Sequence, residues 1–336
     1  MQDGIAHGGR LIEARRLFPH APAPFIDLST GINPHPYPIG ALAPDLFTRL
    51  PEPEALADLQ RVAAEAYRVA DPAMVAAAPG TQILISLLPH LLGLSHATIL
   101  GPTYAEHHAA WSNAGATVTT EHEPASLLRV AARTGGAAIL CNPNNPDGQR
   151  RDPGLLLALA DMLAIKGGLL ICDEAFADLE DPDPGLASQL PHPGLLILRS
   201  FGKTYGLAGL RLGFALASPD LARRIRMALG PWAVAGPALA VGRIALADAA
   251  WRDEAGSRLR HACERLDTLL GAAGLANVGG TRLFRLFRGG HARSVFDGLG
   301  EAGILTRRFA HDPDLLRFGL PADQQWSRLQ AALTRG

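Results

Sequence analysis

Lys203, Asp173 and Asn145 each follow closely on a short apolar run, and an amine, a carboxylate and an amide so placed suit chemistry on a carbonyl compound. Lys203 lies in Arg199-Ser200-Phe201-Gly202-Lys203-Thr204-Tyr205-Gly206-Leu207-Ala208-Gly209-Leu210-Arg211-Leu212-Gly213, between apolar runs at 195–198 and 212–216. A lysine held between core strands loses its proton more readily than a surface lysine, which favours a nucleophile or a Schiff-base amine. Alone it would read as an ordinary loop-tip lysine. Ser200 and Arg211 add a hydroxyl and a guanidinium suited to a phosphate, and the glycines let backbone approach a ligand closely. Asp173 ends the run 169–172, where a turn or cap carboxylate is the plainer alternative. Asn145 sits in Asn142-Pro143-Asn144-Asn145-Pro146-Asp147-Gly148, in which every residue is a turn former. Gly80-Thr81-Gln82 follows the run 74–78 and opens a second apolar run. The free N–H groups of a helix start there could hold a phosphate, although many helices begin with Gly-Thr and bind nothing.

These residues need a scaffold that brings strand ends together. Strands are expected at 97–100, 116–120, 137–141 and 169–172, and helices at 53–69, 104–113 and 153–166, the last stopped by Gly167-Gly168. Such alternation predicts an α/β fold with right-handed crossovers and a mostly parallel sheet. Ligands in such sheets bind beyond the carboxyl ends of the strands, where residues 142–148, 173–174 and 200–203 fall. A short helix is expected at 11–18. Four prolines between Pro34 and Pro44 then exclude helix or central strand, leaving an extended arm. After Asp220 the pattern becomes α+β: a basic helix at 221–229, a long helical region at 238–273, a strand at 278–287, a helix at 294–302 and a strand at 315–318. The expected organisation is an arm and part of a small domain at 1–37, a large domain at 38–230, and a small domain at 231–336.

The 336 residues suffice for about two domains, and 48% apolar with 19% charged residues is ordinary for a globular protein. A formal net charge of -1 offers no attraction to nucleic acid or an anionic membrane. The alternation in Thr281-Arg282-Leu283-Phe284-Arg285-Leu286-Phe287-Arg288 marks a strand with one solvated face better than an RNA site. Cys141, Cys172 and Cys263 are an odd count without paired spacing, which implies a reducing compartment. With no signal-like start and no run of transmembrane length, a cytoplasmic protein is expected.

Ser-Phe-Gly-Lys followed by Gly-Leu-Ala-Gly-Leu-Arg-Leu-Gly resembles the cofactor-lysine segment of pyridoxal-phosphate enzymes of the aspartate-aminotransferase type, fold type I. Asp-Glu-Ala-Phe at 173–176 resembles that family's Asp-x-Ala-Tyr, and residues 142–148 its Asn-Pro-x-Asn-Pro-Thr-Gly. The resemblance covers residues 27–317 in the family's order. It implies pyridoxal 5'-phosphate as cofactor, with Lys203 as the Schiff-base lysine and Asp173 holding the pyridine nitrogen protonated. It further implies that Asn145 bonds the ring hydroxyl, that Tyr104 stacks on the ring, and that Gly80, Thr81, Gln82, Ser200 and Arg211 cradle the phosphate. No metal is implied. A homodimer with the site at its interface is.

Within that family the chain is similar to the branch of histidinol-phosphate aminotransferases and threonine-phosphate decarboxylases. His7-Gly8-Gly9, then Asp27-Leu28-Ser29-Thr30-Gly31-Ile32-Asn33-Pro34, resembles the decarboxylases of cobalamin biosynthesis. That implies decarboxylation of a phosphorylated amino acid, with His7, Gly8, Gly9, Asn33, Arg307 and Arg317 on the substrate side. Cofactor phosphate, substrate phosphate and carboxylate together carry about five negative charges, so a nearly neutral chain must gather cations locally. Arg211, Arg307 and Arg317 are the candidates, and which binds which anion stays open. Transamination of histidinol phosphate is the alternative reaction. A catalytically silent binding module, such as the sensor half of a transcription regulator, is a second. Two positions depart from the family: Phe176 replaces a phenol near the ring oxygen, and Leu50 replaces a tyrosine that reaches the partner subunit's phosphate.

Overall fold

The computed structural model describes residues 8–180 and 185–334, with backbone alone for 131–134. In chain order the strands are β1 (Ile26–Asp27), β2 (Val75–Ala78), β3 (His96–Leu100), β4 (Thr117–Glu121), β5 (Ala137–Cys141), β6 (Leu169–Asp173), β7 (Leu195–Ser200), β8 (Gly213–Ala217), β9 (Ala276–Thr281), β10 (Phe284–Arg288), β11 (Ile304–Leu305), β12 (Arg307–Phe309) and β13 (Asp312–Gly319). The helices are α1 (Leu11–Leu17), α2 (Asp45–Thr48), α3 (Pro53–Ala66), α4 (Thr81–Leu92), α5 (Ala105–Asn113), α6 (Pro124–Thr134), α7 (Pro153–Ile165), α8 (Phe201–Thr204), α9 (Pro219–Leu229), α10 (Gly236–Ala247), α11 (Ala249–Ala272), α12 (Ala292–Glu301) and α13 (Trp326–Leu333). They form two compact units, Tyr37–Asn145 with Gln149–Asp253, and Met1–Pro36 with Pro146–Gly148 and Glu254–Gly336.

The larger unit is built on a seven-stranded sheet of order β2-β8-β7-β6-β5-β3-β4. Strands β3 to β7 run parallel, while β8 is antiparallel to both β7 and β2. Its strands are unbroken apolar runs because both faces are covered, as expected for a parallel sheet between helices. Alternate residues go to opposite sides: Ala138, Leu140, Leu195 and Ile197 join α3, α7 and α10 in one core. Ile139, Leu196 and Leu198 join α4, α9 and Trp111 of α5 in the other. Pairing of Cys141 with Asp173, and of Asp173 with Leu198, brings the carboxyl ends of β5, β6 and β7 to one edge.

The smaller unit holds a four-stranded antiparallel sheet, β12-β13-β10-β9, and the parallel pair β1-β11. Phe284, Phe287 and Phe318 fill its interior. Residues 146–148 belong here because Asp147 O accepts the Gly280 N–H at 2.9 Å.

Several expectations change. The helical region at 238–273 is two helices, broken at Asp248, whose carboxylate accepts the Trp251 N–H at 2.9 Å and the Tyr37 hydroxyl at 3.1 Å. The single strand at 278–287 is a hairpin of β9 and β10 turning at 282–283. Helix α6 lay in a stretch where no element was expected. The larger unit runs on to Asp253 rather than ending at residue 230, because α10 buries Ala238, Leu239 and Leu246 in the same core as α3.

Candidate active site

Strand β6 delivers Asp173 to the sheet edge, only 4% exposed. One carboxylate oxygen accepts the Ala175 N–H at 3.1 Å, and the other lies 2.9 Å from His107 Nε2. Burial pushes the carboxyl up, but the hydrogen bond and charge of His107, the charge of Lys203 and the Ala175 N–H outweigh it, leaving Asp173 below its ordinary range. For His107 burial pulls down, and Asp173 with Cys141 more than reverses it, raising the imidazole to about 10. An imidazolium therefore backs the Asp173 carboxylate at neutral pH. Donor atoms of His107, Cys141 and Asp173 lie within 4.8 Å of one another, a spacing that could also hold a metal ion. Since the ring nitrogen and carboxylate already share a hydrogen bond, the arrangement reads as an acid–base pair.

Lys203 enters on α8, the single turn after β7. Its ammonium lies 4.8 Å from the centroid of the Phe176 ring, three residues beyond Asp173. The aromatic that replaces the family's phenol thus lies against the lysine and offers no oxygen.

An anion cradle forms where β8 meets the start of α4. Gly80 caps α4 at φ +88°, and a Cβ there would lie 2.7 Å from Arg211 Nη2. A Cβ on Gly213 would lie 2.7 Å from the Thr81 nitrogen. Two glycines therefore let a guanidinium and the open N–H groups of a 12-residue helix share one place, which suits a phosphate. Arg211 itself holds φ +54°, a left-handed conformation uncommon outside glycine, and Nη1 donates to Ala208 O at 3.1 Å. Tyr104, the residue before α5, donates its hydroxyl to Gln82 Oε1 at 3.0 Å. Burial, then Glu106, Asp173 and Cys141, raise this phenol to about 12 against the opposing charge of Arg211. Ser200 is buried at the end of β7. Asn145 is half-buried in the turn after β5. That turn is tied down by Asn142, whose backbone N–H donates to Asp173 O at 2.8 Å, and by Asn144, which accepts from the Thr103 hydroxyl at 2.8 Å.

The residues expected on the substrate side belong to the smaller unit. Arg307 on β12 and Arg317 on β13 are directly paired across the sheet. Burial, then the charge of Arg307, lowers Arg317 to about 10 against the opposing charge of Asp27. Its Nη2 donates to Ser29 O at 2.8 Å. The Ser29 hydroxyl accepts the Gly9 N–H at 2.8 Å and donates to Asp27 at 2.5 Å. A Cβ on Gly8 would collide with Ser29 O. Gly8, Gly9 and Arg317 therefore converge on one serine, beside two arginines whose mutual repulsion an anion would relieve. Asn33 is buried and accepts the His35 N–H at 2.9 Å. His7 lies outside the described residues.

Sequence reasoning missed His107, Cys141 and Ser29 as parts of these sites. The signal for His107 was its place one helical turn after Tyr104 on α5; without knowing which face of α5 meets β6, that signal was mute.

Residues 25–335 match the family described as aminotransferase class I and II. A threonine-phosphate decarboxylase of Pseudomonas aeruginosa is 40% identical over 98% of this chain and 97% of its own. Another, from a Sinorhizobium species, is 40% identical over 100% of this chain and 99% of its own. Among solved structures, histidinol-phosphate aminotransferase of Sinorhizobium meliloti in complex with pyridoxal-5'-phosphate superposes with a TM-score of 0.81, covering 100% of this chain and 98% of that one, at 22% identity. At that identity the likeness shows the fold.

Proposed function

We propose that this chain, which belongs to the aminotransferase class I and II family, converts L-threonine O-3-phosphate to (R)-1-amino-2-propanol O-2-phosphate and CO2. What carries decarboxylation over transamination is the full-length match to decarboxylases, because the fold is shared with an aminotransferase.

The residues present fit pyridoxal phosphate: an amine at Lys203, a buried ionised acid at Asp173, an amide at Asn145 and a cradle that glycine at position 80 keeps open for Arg211. When bound, the cofactor supplies an electron sink for the pair left on Cα as CO2 departs. Asp173, kept ionised by His107, would hold a proton on the pyridine nitrogen. Tyr104, its phenol protonated at neutral pH, is the residue that would lie against the ring. Ser200, Thr81, Gln82 and Arg211 take the cofactor phosphate. Arg307 and Arg317, with Gly8, Gly9 and Asn33, take the substrate's phosphate and carboxylate. Lys203 is the group that would return the proton to Cα.

Among the described residues no helix is long and apolar enough to cross a membrane, which accords with a cytoplasmic enzyme. The working form in this reading is a homodimer, and the exposed apolar side chains of Phe47, at 66%, and Leu50, at 64%, are among those a second copy would cover.

The deciding experiment incubates the chain with pyridoxal phosphate and threonine phosphate in the absence of any 2-oxoacid. Stoichiometric CO2 and amino-propanol phosphate are expected. Turnover that requires a 2-oxoacid and releases no CO2 would make the chain an aminotransferase.

A further inference from the structure

Three residues of the site each have a chain neighbour in one buried ion network. Glu174 follows Asp173, Arg199 precedes Ser200, and Thr204 follows Lys203. Arg199 is 2% exposed and Glu174 fully buried. Arg199 Nη2 lies 2.7 Å from Glu174 Oε2, and Nη1 lies 2.7 Å from Asp178 Oδ1. The Thr204 hydroxyl donates to the other Asp178 oxygen at 3.1 Å. Glu174 Oε1 accepts the Leu186 N–H at 3.0 Å. The guanidinium also lies 5.4 Å from the centroid of the Tyr67 ring. Arg252, hydrogen-bonded to Tyr205, is close enough for Asp178 to act on its charge, so two cations face two carboxylates.

Buried ion pairs lose hydration and seldom outdo an apolar replacement in stability. A guanidinium does something an apolar group cannot: its planar fork fixes the distance and angle between two acceptors. Here the fork joins the end of β6, the segment after it and β7, and Asp178 passes the constraint to α8 through Thr204. Successive strand residues face opposite ways, so locking Glu174 and Arg199 also locks where Asp173 and Ser200 point. We propose that Arg199 is a positioning residue, whose two-armed clamp sets the alignment of Asp173 and Lys203 for the reaction. The proposal rests on the reading of those two as cofactor residues.

Three variants test it. Arg199→Lys keeps the charge and loses the fork. Thr204→Val removes one hydroxyl without changing charge, and carries the test should the first fail to fold. Leu59→Ala opens a cavity in α3 as a control for mere loss of stability. In the holoenzyme, the absorbance of the lysine-bound cofactor is titrated against pH, and kcat and KM are measured with threonine phosphate. In the cofactor-free chain, hydrogen exchange is followed over 169–178 and 199–206. Arg199→Lys is expected to move the titration midpoint by about one pH unit. It should lower kcat on the order of 100-fold, as a misplacement of ~1 Å can, with KM little changed. Exchange should quicken in both segments. Thr204→Val should move each reading the same way by less. Leu59→Ala should lower Tm without moving midpoint or kcat. If the first two variants lower Tm but leave midpoint, kcat and exchange at wild-type values, the network merely holds the fold and the proposal fails. A wild-type chain with no lysine-dependent band would defeat the cofactor reading instead, while the exchange data would still show whether Arg199 orders these strand ends.

Discussion

Gly80→Ala separates the stability of the cradle from its function. The φ of +88° places position 80 where an L side chain is strained, at roughly 1–2 kcal/mol. At about 2–4 °C per kcal/mol for a body of this size, Tm should fall by about 2–8 °C. The new Cβ would also stand 2.7 Å from Arg211 Nη2, the far end of a long side chain, and would turn it away. In the chain without cofactor that displacement adds little to the cost, since Arg211 is exposed. With cofactor it removes a charge-assisted hydrogen bond worth ~1.5–3 kcal/mol. The Kd for pyridoxal phosphate, followed by absorbance titration, should therefore rise by about 10- to 150-fold. Arg211→Met should weaken binding by a similar factor without the loss in Tm. The double variant should bind no more weakly than the worse single one, because both remove the same contact. If Gly80→Ala loses Tm as expected yet binds cofactor like wild type, Arg211 does not serve the phosphate and the cradle is misassigned.

Lys203→Ala should abolish the absorbance of lysine-bound cofactor while the chain remains folded; a retained band would mean that another amine holds the aldehyde. Arg317→Met should raise KM for threonine phosphate by one to two orders of magnitude, the loss of a charged hydrogen bond of ~1.5–3 kcal/mol, with the cofactor spectrum unchanged; an unchanged KM would remove Arg317 from the substrate side. The His107–Asp173 pair predicts a pH window for stability. His107 is raised from 6.5 to about 10, so its contribution is complete below pH 6.5 and fades as pH climbs to about 10. Asp173 is lowered from 3.8, so its contribution is complete above that value and fades as pH falls through the lower folded value. His107→Asn should flatten the alkaline side of a Tm-against-pH curve, and a curve unchanged by the substitution would refute the pairing.

What could be read in the chain was whatever is encoded locally. Apolar runs such as 137–141 and 195–198 are strands because they are wholly buried, and the turn formers at 142–148 and the glycines around Lys203 mark strand ends without any knowledge of packing. Parallel strands put those ends on one edge, so the pattern alone predicts that Asp173, Asn145 and Lys203 lie near one another, while their separate roles rest on the family resemblance. Local information failed where an element was judged by apolar content alone. The helical region at 238–273 hides a break at Asp248, which caps the second helix by accepting the Trp251 backbone N–H three residues on, a signal that apolar content does not carry, and which also accepts the distant Tyr37 hydroxyl.

Tertiary structure alone decided the long-range pairs. His107 meets Asp173 across 66 residues because α5 turns one particular face to β6. Arg307 stands opposite Arg317 through the β12–β13 register, and Arg211 fits against Gly80 only because β8 runs antiparallel beside β2. Arg199, read from sequence as the flank of a lysine motif, becomes the centre of a buried network only when β6, β7 and α8 close around it. The physical reason is the same throughout: turn and strand preferences act between neighbours in the chain, whereas charge pairing and steric fit act through space, and only the assembled fold sets those distances.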